Sequence, residues 1–195
     1  MSAKGGGPGT WVDLYWLPLG AGGHVVRPSG RAFEWLAARR EHRARMDLYH
    51  AGLLLHDGLA RYAIEMGPVW NVAAPDRGVV LEGPVAARWL GRSRVFRYEV
   101  RCWAGGQLPD IAHAVGSPIR TTEDPAQVRD VLDLVRQVPR LTWGRDELGT
   151  GHMWNSNSMV AWVLARSGHE MDRIRPPDRG RAPGWEAGLV LAGRG

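Results

Sequence analysis

Cysteine, lysine and phenylalanine are nearly missing from this chain of 195 residues. Cys102 is the only cysteine, which excludes an intrachain disulfide and fits a reducing compartment. It sits in an apolar alternating stretch and reads as a small core residue rather than a nucleophile. Lys4 is the only lysine, so arginine supplies the rest of the 25 basic residues and the net charge of +5. Those arginines are mostly scattered, as a GC-rich coding sequence would scatter them. Their one concentration is Arg39-Arg40-Glu41-His42-Arg43-Ala44-Arg45, which reads as the solvated end of a helix. Neither nucleic acid nor an anionic membrane surface is therefore the expected partner. No apolar run approaches the roughly 20 residues that span a bilayer. Met1 to Thr10 is glycine-rich with no apolar core and reads as a flexible leader, not a signal peptide. A cytoplasmic location is the expectation.

What is present points to a packed core. Apolar residues make up 44% of the chain, with ten tryptophans, which excludes general disorder. No repeat and no second composition regime divides residues 11–195, so a single α+β domain is expected. Trp11 to Leu17 reads as a strand broken by Pro18 to Gly23. Ser29 is placed to cap a helix through about Met46, with Phe33, Leu36 and Ala37 on one face. Gly78 to Gly83 is a short apolar run, and Val85 to Leu90 is helical in character. Ser93 to Trp103 alternates as a strand with Val95, Tyr98, Val100 and Cys102 inward. Ile111 to Val115 reads as one helical turn. Thr121 to Val138 reads as a helix, capped by Thr122, with Pro125 in its first turn and Val128, Val131, Leu132 and Val135 as its buried stripe. Trp185 to Ala192 reads as a last strand.

Two stretches carry chemistry-bearing residues. The first is a hairpin, Tyr49 to His56 and Leu59 to Met66, around Asp57-Gly58, a strong turn pair. If Asp57 and Gly58 are the two loop residues, Leu53 faces Tyr62 and His50 faces Glu65. Directly opposed residues have Cβ atoms roughly 4.5–5.5 Å apart, within reach for an imidazole and a carboxylate. The second is Gly151 to Trp162, a polar loop that turns into an apolar helix ending near Gly168. Asn155, Ser156 and Ser158 all suit a helix N-terminus, where a side-chain oxygen accepts orphan backbone N–H groups. A hydroxyl there is either a cap or a nucleophile placed at the positive end of the helix dipole.

The strand Tyr49-His50-Ala51-Gly52-Leu53-Leu54-Leu55-His56-Asp57-Gly58, followed much later by Asn155-Ser156-Asn157-Ser158-Met159-Val160, resembles the circularly permuted papain-like proteins. These include the permuted NlpC-type peptidases and the lecithin:retinol acyltransferase-like enzymes. The resemblance covers roughly His50 to Gly168. It implies a permuted papain-like fold, a small antiparallel sheet packed on helices. It also implies hydrolysis or acyl transfer on amide or ester bonds. Ser156 stands where the family has its cysteine, so the chemistry would need His50 as a general base and Glu65 to orient it. His152, Trp154, Asn155 and Ser158 would line the cleft. Serine for cysteine equally fits a non-catalytic protein that holds a peptide or acyl-like ligand in that cleft. No cofactor is expected. A metal on His50, Glu65 and His152 is not expected either, because no short-range ligand spacing is present.

Overall fold

The computed structural model describes residues 9–19, 39, 46–70 and 73–194. The leader at 1–8 and nearly all of the helix expected from Ser29, with its arginine cluster, lie outside the described residues. The remainder is an α+β fold, as its sequence pattern implies. Six strands, β1 (Trp11–Pro18), β2 (Tyr49–Asp57), β3 (Ala60–Pro68), β4 (Val79–Pro84), β5 (Arg97–Ala104) and β6 (Ile119–Thr122), form one sheet in the order β4-β5-β3-β2-β1-β6. Every neighbouring pair is antiparallel. The α-helices are α1 (Pro125–Leu134), α2 (Ser156–Arg166) and α3 (Trp185–Ala192). Among the described residues no helix is long and apolar enough to cross a membrane.

Side chains alternate across the sheet, as the strand period demands. One face carries Val12, Leu14 and Trp16 of β1, Ala51, Leu53 and Leu55 of β2, Ile64 and Met66 of β3, and Tyr98, Val100 and Cys102 of β5. It packs on α2 through Met159, Val160 and Val163 and on α1 through Val128 and Val131. The other face holds a smaller cluster of Leu54, Ala63 and Leu108, with Tyr15 and Ile111 against it.

Four expectations are corrected. Trp185 to Ala192 is α3, not a strand. A short apolar run does not reveal its period, and packing on α2 decides it. Gly188 permits that packing, since a Cβ there would stand 2.2 Å from the carbonyl oxygen of Ser158. The strand expected from Ser93 begins only at Arg97, because Arg94–Phe96 is a 3₁₀ turn that leaves Val95 67% exposed. The helix expected from Thr121 begins at Pro125, after β6. Its cap is Asp124, whose carboxylate accepts from the Ala126 N–H at 2.9 Å. Thr122 instead accepts from the Asp124 N–H.

The fourth correction concerns the hairpin. Leu53 faces Ile64, Leu55 faces Tyr62 and Asp57 faces Ala60, so the loop residues are Gly58 and Leu59. Gly58 has φ of 62°. It takes the first central position, the place a II′-type turn reserves for glycine. The partners therefore slide by two residues, which keeps every side chain on its face but changes what it meets.

Candidate functional site

The N-terminus of α2 is built from four consecutive polar residues, and three of them are structurally committed. Asn155 is extended and caps the helix: its Oδ1 accepts from the N–H groups of Asn157 (2.9 Å) and Ser158 (3.3 Å). Ser158 returns the contact, its Oγ accepting from the Asn155 N–H at 3.1 Å, which completes a capping box. The Ser158 hydroxyl donates to the Gly184 carbonyl at 2.7 Å. The Asn155 amide donates to the Pro183 carbonyl at 2.8 Å. The loop entering α3 is thereby fastened across the start of α2.

Asn157 has a different task. Pairing of β2 with β3 runs only from Leu53 to Asp57, so the earlier part of that edge needs another partner. The Asn157 Oδ1 accepts from the Ala51 N–H at 2.7 Å, and its Nδ2 donates to the Tyr49 carbonyl at 2.9 Å. The side-chain amide thus stands in for a strand. Its Nδ2 also donates to Pro183 at 2.9 Å. Sequence alone does not single this residue out. Its only signal was a second asparagine inside a helix start that already had a cap.

Ser156 is the fourth. It is the first residue of α2, is 5% exposed, and its hydroxyl has no hydrogen-bond partner among the described residues. Trp154 is buried in the main core. His152 lies on the exposed loop before it, where its N–H donates to the Thr150 hydroxyl at 3.2 Å.

His50 and Glu65 are not brought together as the expected register required. His50 pairs with Leu17 of β1. Alternation from Ala51 and Leu53 places its side chain on the face away from α2. No hydrogen bond joins its ring to Ser156 or Glu65 among the described residues. Burial pushes its pKa down to about 4, against the charge of Asp110, which raises it. The imidazole is neutral at pH 7 and a much weaker base than a group poised near the working pH.

Glu65 is 6% exposed and faces Arg101 of β5. The Arg101 Nη1 donates to its Oε1 at 2.7 Å. Burial pushes the Glu65 carboxyl up and Arg101 opposes this, leaving it above the ordinary value. The Arg101 Nε also reaches Glu99 at 3.0 Å, and its Nη2 donates to the Pro68 carbonyl at 2.9 Å. Arg77 brackets Glu99 from the other side, its Nε donating to Oε2 at 2.7 Å. Burial pushes Glu99 up, but the two guanidiniums outweigh it and hold the carboxyl below its ordinary value. Asp110, whose charge acts on both His50 and Glu65, was also missed. It lies in an irregular loop with no motif around it.

The depressed histidine makes a pH prediction. The unfolded chain binds the His50 proton near pH 6.5, whereas the folded chain resists it until about 4. Stability therefore falls with acidification across that window, by up to about 3 kcal/mol from this group. Glu65, raised, works in the opposite direction in the lower part of the window. The difference between the wild type and His50→Asn isolates the histidine. Urea melts from pH 7 to 4 should give a shallower decline for the variant; equal slopes would remove the buried-neutral assignment.

Clefts open on the surface of the described residues. One, of about 510 Å³, is lined by Pro84, Arg88, Gly91, Arg92, Arg97, Arg140 and Thr142. Another, of about 380 Å³, lies between β6 and residues 168–174. Neither is lined by Ser156, His50 or Glu65. Among the described residues no group of three His, Cys, Asp or Glu is arranged to hold a metal ion. No protein-family model matches the chain, and no curated protein or solved structure resembles it significantly.

Proposed function

We propose that this chain is a non-catalytic binding protein, in which the carboxylate that would orient the base in a permuted papain-like enzyme, Glu65, holds the sheet together instead. The observation that carries this reading is the commitment of Glu65 to Arg101 at 2.7 Å. A carboxylate held there does not orient an imidazole, and without an oriented base a serine is a poor nucleophile. The low pKa of His50 and its place on the sheet face away from α2 support the same reading.

A second reading, an amide or ester hydrolase or acyltransferase, draws support from Ser156 alone. Among the described residues its hydroxyl has no partner at the positive end of α2. A fluorophosphonate probe separates the two. Prolonged incubation should leave Ser156 without an adduct by intact-mass measurement. Covalent labelling that disappears in Ser156→Ala would replace the binding reading with the enzymatic one.

A further inference from the structure

The connection between β4 and β5, together with the loop after α1, builds a site that the α2 motif does not touch. Residues 88–97 read Arg-Trp-Leu-Gly-Arg-Ser-Arg-Val-Phe-Arg. Arg88–Arg92 forms a 3₁₀ helix with no buried residue, and Trp89 on it is 71% exposed. This segment forms one wall of the 510 Å³ cleft, and Arg140 and Thr142 form the other.

Both walls are braced. The Arg97 Nε donates to the Gly91 carbonyl at 2.7 Å, and its Nη1 reaches Glu82 at 3.2 Å. The Tyr98 hydroxyl donates to the Leu141 carbonyl at 2.7 Å, fixing the second wall to β5. Arg88 pairs with Glu147 across the cleft at 3.0 Å, and Glu147 is itself held by the Thr142 N–H at 2.9 Å. Two of the four lining guanidiniums are thus neutralised by carboxylates. The side chains of Arg92 and Arg140 have no ion pair or hydrogen bond among the described residues. The braced cleft therefore presents two uncompensated positive charges.

We propose that this cleft binds a small phosphomonoester carrying a flat ring, of the mononucleotide class. A phosphomonoester carries about −1.5 to −2 charge at neutral pH, which matches Arg92 and Arg140, and guanidinium forks suit its oxygens. Side chains three residues apart eclipse in a 3₁₀ helix, so Trp89 shares an edge with Arg92. Trp89 lies outside the cleft's lining but is exposed beside it, so a ring attached to a phosphate on Arg92 can reach its indole. The cleft volume, about 510 Å³, falls in the roughly 300–1,000 Å³ range of small-molecule sites. The site stands whether or not Ser156 reacts.

Calorimetric titration of the full chain tests this, using AMP, GMP, CMP, UMP, inorganic phosphate and a 15-nucleotide oligo-dT as probes. At least one mononucleotide should saturate with Kd below about 1 mM. Arg92→Gln and Arg140→Gln should each weaken it roughly 10-fold or more, by loss of a charge-assisted hydrogen bond. Both arginines are exposed, so the variants should melt with the wild type. Trp89→Ala should weaken the mononucleotide about 10-fold and leave inorganic phosphate unchanged. No mononucleotide binding at 10 mM, or binding indifferent to all three substitutions, overturns the proposal. So does an oligonucleotide bound much more tightly than any mononucleotide, which would mark a polymer site instead.

Discussion

Replacing Arg101 by alanine should destabilise the fold by about 3–5 kcal/mol, the scale for removing one partner of a buried ion network. Arg101 is fully buried and is shared between Glu65 and Glu99. Its removal leaves Glu65 without its guanidinium and Glu99 with Arg77 alone, and it orphans the Pro68 carbonyl. The melting temperature of a chain this size should drop by on the order of 10 °C. Arg101→Lys keeps the charge but cannot reach three acceptors in one plane, so it should recover only part of the loss. The triple change of Arg101, Glu65 and Glu99 to apolar residues of similar size should recover more than any single change, because no charge is then left buried. Arg101→Ala melting with the wild type would mean that Glu65 does not depend on it, and would reopen Glu65 to a role beside His50.

Asn157→Ala should come next in size, at about 3 kcal/mol or more. It leaves the Ala51 N–H and the Tyr49 carbonyl without this partner in a buried setting, at roughly 1–3 kcal/mol for each group left unsatisfied, while the Pro183 carbonyl keeps the Asn155 amide. Asn157→Asp should fare no better, since its second oxygen would face two carbonyls and donate to neither. Asn155→Ala should cost about 1 kcal/mol, the ordinary value of a helix cap. Ser156→Ala should change stability by less than about 0.5 kcal/mol, because the hydroxyl it removes makes no hydrogen bond among the described residues. Equilibrium urea unfolding of the three alanine variants gives this ranking. A loss for Ser156→Ala as large as that for Asn157→Ala would show that Ser156 has a structural partner this account denies it.

How much of this was legible in the sequence differs by element. The helix start at Asn155 was readable because capping chemistry is local: an asparagine followed three residues later by a serine, then an apolar run. The buried stripe was readable for the same reason: Val128 and Val131 of α1 and Val135 just past its end are fully buried, and Leu132 is half-buried. The hairpin itself was readable from Asp57-Gly58, but its register was not. Whether glycine takes the first or second central position changes no hydrophobic face, so the alternation pattern is blind to a slide of two. That slide separates His50 from Glu65. The identity of α3 was hidden because Trp185 to Ala192 is apolar all round, and only its contact with α2 sets its period.

The ion network was hidden for a different reason. Glu99 and Arg101 occupy the polar positions of an alternating strand, where solvent is the default partner. Glu65 and Arg101 are opposed because β3 pairs with β5 across the long β3–β5 connection, which no short-range spacing records. Asn157 has the same character: its amide is needed only because β3 stops pairing at Leu53. The clefts were not legible at all. Arg92 and Arg140 are far apart in the chain, and the arginine cluster that stood out in the sequence, residues 39–45, is a different one.

On the proposed binding reading, Ser156, His50 and Glu65 form no catalytic set. The most direct measurement is the pKa of His50 followed by NMR, in the wild type and in Glu65→Gln. The wild type should give about 4, with little change when Glu65 is neutralised, because burial, opposed by Asp110, sets that value. A value near 7 that falls on Glu65→Gln would show an imidazole held by that carboxylate, and would contradict the account.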